Sequence, residues 1–309
     1  MSLTIREQGI MQQAITGDLY SRFIAYLDAK PRTVEAYSKS LRVFFTYLAD
    51  NGISRPARED VVAYKAELMQ KHKAATVTAY IVPVRLFFRW AAQAGLYPNI
   101  AEHIKGATIT RDHKKDALTT RQIKAILQAI DTGALAGLRD YALLALMTTC
   151  GLRTVEVMRA DVGDIRTAGD SAALYIQGKG RDSKDEYVKL PATVETAIRA
   201  YLQARGKVSA SSPLFASASD RNDGERLTTR SISRIVKGRM RAAGLDSDRL
   251  TAHSLRHTAA TLNLLNGGSL EETQQLLRHT NINTTMIYLH HISRANNNSE
   301  SRIASAIGL

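Results

Sequence analysis

Four short segments gather side chains able to grip, protonate or attack a charged group. Gly151-Leu152-Arg153-Thr154-Val155-Glu156 sets an arginine three residues before a glutamate, and Gly178-Lys179-Gly180 holds a lysine between glycines. His253-Ser254-Leu255-Arg256-His257 carries an arginine between two histidines, and eight residues separate His279 from Tyr288. Each has a plainer meaning when taken singly. An Arg-x-x-Glu pair on a helix is commonly a surface ion pair worth ~0.2–0.5 kcal/mol. Gly-Lys-Gly is shorter than a phosphate-binding loop and joins two expected strands, so it does not predict nucleotide binding. His253 and His257, four apart, share a helix face, yet no HExxH glutamate or nearby cysteine completes a zinc site. A lone tyrosine among 12 carries no signal.

The elements that must position these residues are mostly helical. Val34, Tyr37, Leu41, Phe44, Phe45 and Leu48 recur at helical spacing after Thr33, an expected N-cap, and Val77, Tyr80, Val84, Phe87, Phe88 and Ala91 repeat the pattern after Thr76. A weaker helix is expected over Val61 to Lys71. The polar, basic stretch GATITRDHKKDA at 106–117 lacks periodicity and reads as a linker. Beyond it, Thr119 and Gln122 have capping-box spacing, and Leu138 to Thr149 is an apolar helix ended by Gly151. Leu174 to Ile176 and Tyr187 to Leu190 read as two strands of a hairpin whose connection is Gly178 to Asp185. Helices are expected over Thr193–Arg205, Thr229–Ala243, Ser254–Asn266, Leu270–Arg278 and Thr284–His291. Asn296 to Ser301 reads as a polar tether before the apolar end Ile303, Ile307 and Leu309. The fold class that follows is mainly α with a small β-sheet, and an all-α N-terminal third.

In order and type together, the four segments resemble the catalytic boxes of the tyrosine recombinase, or phage integrase, family. The likeness spans about 115–295, and the helical first third is similar to that family's core-binding domain. It implies residues 1–107 as a SAM-like core-binding domain, 108–117 as linker and 118–309 as the catalytic domain with an exchanged C-terminal tail. The two domains are expected to form a C-shaped clamp on DNA. Matched residue by residue, the resemblance implies Arg153, Lys179, His253, Arg256, His279 and Tyr288 as catalytic. Tyr288 is the nucleophile, Lys179 the acid for the leaving 5′-oxygen, His253 the base, and Glu156 the support behind the arginines. Lys184, five positions after Lys179, is its rival. The family often has glycine where this chain has Arg278, which adds a possible phosphate contact. His257 is expected to pack or support.

That chemistry agrees with what the residue types can do. Two guanidiniums grip the non-bridging oxygens of a phosphodiester and keep their protons at neutral pH. A tyrosine, with a pKa near ~10, needs a proton acceptor. A phosphotyrosyl ester conserves the bond energy, so no metal, ATP or other cofactor is expected. On Thr229 to Ala243, Arg230, Arg234, Lys237 and Arg241 are the leading DNA-contact candidates by resemblance. Thr76, Thr78 and Arg85, with Thr33, Tyr37 and Lys39, form an N-terminal set.

Charge points the same way. The chain has 309 residues, 42 basic and 29 acidic, a net charge of +13 and a pI near 9.9. The excess is shared, net +5 over 1–110 and net +8 over 111–309, so a polyanion can face both parts. A single cysteine, Cys150, excludes an internal disulfide framework and suits a reducing bacterial cytosol, with the nucleoid as the expected location. The opening MSLTIREQGI has no apolar h-region, no run approaches the ~20 apolar residues of a membrane span, and no membrane partner is expected. The resemblance implies double-stranded DNA with specific recombination sites as substrate. It also implies a monomer or weak dimer off DNA, a homo-tetramer on two duplexes, and a possible accessory directionality factor. The expected activity is site-specific cleavage and rejoining through a 3′-phosphotyrosyl intermediate, in the integration or excision of a mobile element. The alternatives are type IB topoisomerase-like relaxation and a DNA-binding regulator with a relict active site.

Overall fold

The computed structural model describes residues 17–108, 116–178, 181–219, 222–295 and 299–308. The chain divides into two compact units, Met1–Asp112 and His113–Leu309.

Among the described residues, the first unit holds α1 (Gly17–Tyr26), α2 (Pro31–Asp50), α3 (Arg58–Lys71) and α4 (Ala74–Gln93). The two long apolar stripes bury as their spacing requires. Leu41, Phe44 and Leu48 of α2 meet Val77, Ile81, Val84, Phe87, Phe88 and Ala91 of α4 in one core, with Phe23 and Tyr64. Edge-on aromatic pairs, Phe23 on Phe87 and Phe44 on Phe88, complete it. The helix starts differ from expectation. Thr33 lies inside α2, which begins at Pro31 after Lys30. Proline fixes φ and lacks the N–H that a first turn leaves unpaired, so the helix opens there. Thr76 likewise lies inside α4, which starts at Ala74.

The second unit runs α5 (Thr120–Gln128), α6 (Leu135–Cys150), α7 (Thr154–Arg159), a 3-10 turn (Val162–Asp164), β1 (Ile165–Ala168), β2 (Ser171–Ile176), β3 (Glu186–Lys189), α8 (Ala192–Arg205), α9 (Thr229–Ala242), α10 (Ala252–Leu265), α11 (Leu270–Leu277), α12 (Asn283–Ala295) and α13 (Ser299–Ala306). The fold is mainly α with a small β-sheet. Thr119 and Gln122 make the expected capping box, Thr119 Oγ1 accepting from Gln122 N at 3.2 Å and Gln122 Oε1 from Thr119 N at 2.9 Å. The sheet is antiparallel in the order β1-β2-β3, with Leu174 between Ile165 and Val188. β1, sequence Ile-Arg-Thr-Ala, was not among the expected strands. α6 is the central helix, packed between α8 and α10 and buried along much of its length. Gly151 ends it at φ 60°, and a Cβ there would stand 3.0 Å from Leu277 Cδ2. Only glycine meets both demands without cost.

The tail corrects one expectation. Ser299 to Ser301 open α13 rather than extending a tether, and Asn296 to Asn298 and Leu309 lie outside the described residues. Ser299 and Glu300 supply polar residues to a helix start, which an unstructured reading overlooked. Ile303 and Ile307 on α13 are 61% and 68% exposed. Among the described residues, no helix is long and apolar enough to cross a membrane.

Candidate active site

Arg153 sits immediately before α7 and Glu156 in its first turn, so their spacing is that of a helix cap. Glu156 Oε2 accepts the Arg153 backbone N–H at 2.8 Å, and Oε1 accepts Arg153 Nη1 at 2.6 Å. The pair is not the surface bridge that such spacing usually means, because Glu156 is completely buried. Arg278 closes it from the other side, Nη2 donating to Glu156 Oε2 at 2.8 Å. Burial alone would raise the Glu156 pKa. Arg278 and then Arg153 outweigh it and hold the carboxyl below its ordinary value.

The second guanidinium comes from α10. Arg256 is 1% exposed and bridges the ends of two helices, α6 and α11, Nη1 donating to Gly151 O at 2.5 Å and another amino group to Leu277 O. The left-handed turn at Gly151 thus aims a carbonyl at Arg256 where α6 stops. Burial, then Arg153, pulls the Arg256 pKa down to about 9, which still leaves it charged at neutral pH.

α12 brings the remaining groups. Tyr288 is 6% exposed and packs with Ala260 and Leu277. Burial raises its pKa, and Arg256 and Arg153 work against that rise. The His257 ring contacts both neighbours, with centroids 5.2 Å from Tyr288 and 4.6 Å from His253. His279 Nδ1 is 2.9 Å from the hydroxyl of buried Thr285. Burial, then Arg256, Arg153 and Arg278, pulls the His279 pKa down to about 4, so this imidazole is neutral at pH 7. Arg153, His253, Arg256, His279 and Tyr288 all line one cavity of about 460 Å³, with His257 and Arg278 in its wall. Two hydrogen-bonding cations, a neutral imidazole and a phenol around such a space suit a tetrahedral anion under nucleophilic attack. Among the described residues, no group of three or more histidine, cysteine or carboxylate side chains is placed to hold a metal ion.

Family profiles agree with this arrangement. The phage integrase family matches residues 116–294, and the phage integrase N-terminal SAM-like domain matches residues 20–95. The chain belongs to the phage integrase family of tyrosine recombinases. Tyrosine recombinase XerC of Herpetosiphon aurantiacus is 31% identical over 283 residues, covering 87% of this chain and 89% of the relative. Tyrosine recombinase XerD of Listeria monocytogenes is 30% identical over 296 residues, covering 88% and 94%. Two solved structures share the fold. XerH recombinase bound to its palindromic difH substrate superposes with a TM-score of 0.69 at 20% identity, covering 89% of this chain and 79% of that one. A lambda integrase dimer bound to a COC′ core site gives 0.71 at 19%, covering 93% and 80%.

The other expected residues are more scattered. Lys179 lies outside the described residues. Lys184, its rival and a candidate DNA contact, is clasped by Asp161 at 2.6 Å and Asp164 at 2.5 Å. The hydrogen bonds to those carboxylates raise the Lys184 pKa against the opposing pull of burial. That clasp pins the β2–β3 connection to the turn before β1. Arg278, also expected as a phosphate contact, borders the cavity and donates to Glu156 Oε2 at 2.8 Å and to Leu276 O at 2.7 Å. On α9, Arg230 and Arg234 are exposed. Lys237 instead donates to Ser247 O at 2.7 Å and holds the segment after α9, so it is occupied inside the domain. Arg241 is exposed and pairs with Asp246 at 3.0 Å.

In the first unit Thr33, Lys39 and Thr76 are exposed and Tyr37, Thr78 and Arg85 half-buried. They do not form one cluster: Lys39 borders a groove beside Tyr64, while Arg85 borders a separate hollow with Arg89 and Asn99. Thr78 donates to Ala107 O at 3.3 Å. Sequence reasoning missed Thr285 and also Arg181 and Glu186, which line the cavity and pair at 2.9 Å. Thr285 is six residues after His279, a spacing with no periodic signature. Cys150 is buried, and burial pushes its thiol pKa up to about 12, which leaves it unreactive at neutral pH.

Proposed function

We propose that this chain is a site-specific DNA recombinase that cuts and rejoins strands through a 3′-phosphotyrosyl ester at Tyr288. The observation that carries the reading is the convergence of Tyr288, Arg153, Arg256 and His279 on one cavity from four separate parts of the chain. The Tyr288 phenol gives its proton to His253 as its oxygen attacks the scissile phosphorus. The bond from phosphorus to the 5′-oxygen breaks, and Lys179 protonates that oxygen. Arg153 and Arg256 neutralise the non-bridging oxygens of the crowded phosphorus, where charge accumulates. His279 is neutral, so it helps as a donor only if its proton is on Nε2. In that tautomer Nδ1 accepts the hydroxyl hydrogen of Thr285, whose oxygen is 2.9 Å away. In the reverse reaction a free 5′-hydroxyl attacks the ester and Tyr288 leaves, so rejoining consumes no nucleotide.

The remaining architecture follows the same reading. Residues 1–107 bind the core site, 108–117 link, and 118–309 carry the chemistry. Exposed Arg230 and Arg234 on α9 are the favoured phosphate contacts of the second unit. Four copies act on two duplexes, and the exposed Ile303 and Ile307 of α13 are a candidate contact between copies. The near full-length match to XerC and XerD favours an Xer-type layout. Integration or excision of a mobile element is the setting we propose, and sequencing the DNA that the protein joins tests it.

A nicked suicide substrate carrying the recombination site decides the mechanism. Wild-type protein is expected to trap a covalent adduct in the presence of a chelator, and Tyr288→Phe to bind the DNA and trap none. A normal adduct yield from Tyr288→Phe rejects the assignment. Relaxation of any plasmid by a monomer would favour the topoisomerase reading, and binding without any adduct the regulator.

A further inference from the structure

Arg278 stands where the chain turns sharply between α11 and His279, at φ 52° and ψ 49°. That is the left-handed region, which glycine enters freely and a branched or long side chain enters at a cost. The side chain compensates by what it reaches. It folds back until only 8% of it is exposed, and its Nη2 meets Glu156 Oε2 at 2.8 Å and, more distantly, Gly151 O at 3.4 Å. Those two acceptors already anchor the other guanidiniums. Glu156 holds Arg153 by backbone and side chain, and Gly151 O receives Arg256 Nη1. The Arg278 Nε is buried without a hydrogen-bond partner, so this guanidinium sits here at the expense of one unsatisfied donor.

We infer that Arg278 is a positioning residue that shares Glu156 and the Gly151 carbonyl with Arg153 and Arg256, and so fixes where those two guanidiniums point. It does not itself touch the phosphate. Without Arg278, the buried Glu156 carboxylate keeps Arg153 as its hydrogen-bonded cation and draws that side chain in, away from the cavity. The inference rests on the phosphotyrosine reading for its effect on rate; its effect on charge does not depend on that reading. The charged and titratable groups around His279 and its cavity are Arg153, Glu156, Arg181, Glu186, His253, Arg256, His257, Arg278 and Tyr288. Burial and the three arginines together keep that imidazole neutral.

The test compares Arg278→Gly and Arg278→Lys with wild type in the full chain. Glycine suits the turn, so backbone strain cannot explain a loss. Single-turnover cleavage of site DNA at saturating protein should slow about 10- to 100-fold in R278G, the range that a small misplacement produces. The dissociation constant should stay within about twofold, since binding phosphate is not this residue's task. In DNA-free protein the NMR titration of His279 should move to higher pH in R278G. R278K should return part of both, because it restores the charge without the fork. Cleavage at the wild-type rate by R278G overturns the inference. So does binding that weakens by the same factor as the rate, which would make Arg278 a phosphate anchor. A wild type that forms no adduct, while R278G still shifts the His279 titration, sinks the phosphotyrosine reading and leaves the placement of Arg278 standing. An unmoved titration refutes the placement itself.

Discussion

Replacing Glu156 by glutamine removes one charge from a site with no water to make it good. The carboxylate is completely buried and accepts from Arg153 N at 2.8 Å, Arg153 Nη1 at 2.6 Å and Arg278 Nη2 at 2.8 Å. Glutamine offers one acceptor oxygen and turns an NH2 group toward a guanidinium, so one donor of Arg153 or Arg278 is left facing another donor. The Arg153 side chain, 26% exposed, can turn toward water, whereas that of Arg278, 8% exposed, cannot. Breaking a buried ion pair from one side costs about 3–5 kcal/mol, and the partial exposure of Arg153 places this site near the lower end, about 3 kcal/mol.

For a domain of this size each kcal/mol moves the melting midpoint by roughly 2–4 °C, so the second unit should melt about 6–12 °C lower at pH 7. The sign with pH follows from the lowered Glu156 pKa. Its stabilisation is complete above the ordinary carboxyl value of about 4.3 and disappears as pH falls through the folded value. Calorimetry of wild type and E156Q should therefore show a wide gap at neutral pH that closes in acid. Equal midpoints at pH 7, or a gap that persists at the lowest pH where both fold, would refute the reasoning.

Other outcomes follow from the same geometry. Gly151→Ala forces φ 60° on a residue with a Cβ and sets that carbon 3.0 Å from Leu277 Cδ2; thermal melts should show a loss of at least about 1–2 kcal/mol, and an unchanged midpoint would mean the turn relaxes. Lys184→Ala should loosen the β2–β3 connection, seen as faster amide exchange across β3, while Lys179→Ala removes the acid; if a bridging 5′-thiolate substrate rescues K184A and not K179A, the acid role passes to Lys184. Because His279 is neutral above about pH 4, its ring signals in DNA-free protein should show no titration step between about pH 5 and 8 by NMR; a step there that vanishes in His279→Gln would contradict this.

Much of the frame was legible in the residues themselves. The stripes of α2 and α4 and the Thr119 capping box are local patterns, and local patterns survive folding. The starts of α2 and α4 were misplaced because threonine competes with an earlier signal, and at Pro31 the fixed φ wins. β1 escaped notice because Ile-Arg-Thr-Ala has no alternation of its own and is a strand only through its pairing with β2. The site residues were recognisable as a set, yet their surroundings were not. Arg153 and Glu156 show a cap spacing, but the second guanidinium on Glu156 is that of Arg278, which is 122 residues further along. Lys237 fits a basic helix face until Ser247 O, in the segment that follows, takes its ammonium. Such outcomes depend on contacts that no window of the sequence contains.

The account stands most directly on which atom becomes joined to DNA. Protein trapped on a nicked site, digested and mapped by mass spectrometry, should carry its nucleotide on the peptide that contains Tyr288, with the 3′-phosphate on the phenolic oxygen and the yield unaffected by a chelator. A nucleotide mapped to any other side chain, or an adduct that forms only with divalent metal present, would contradict it.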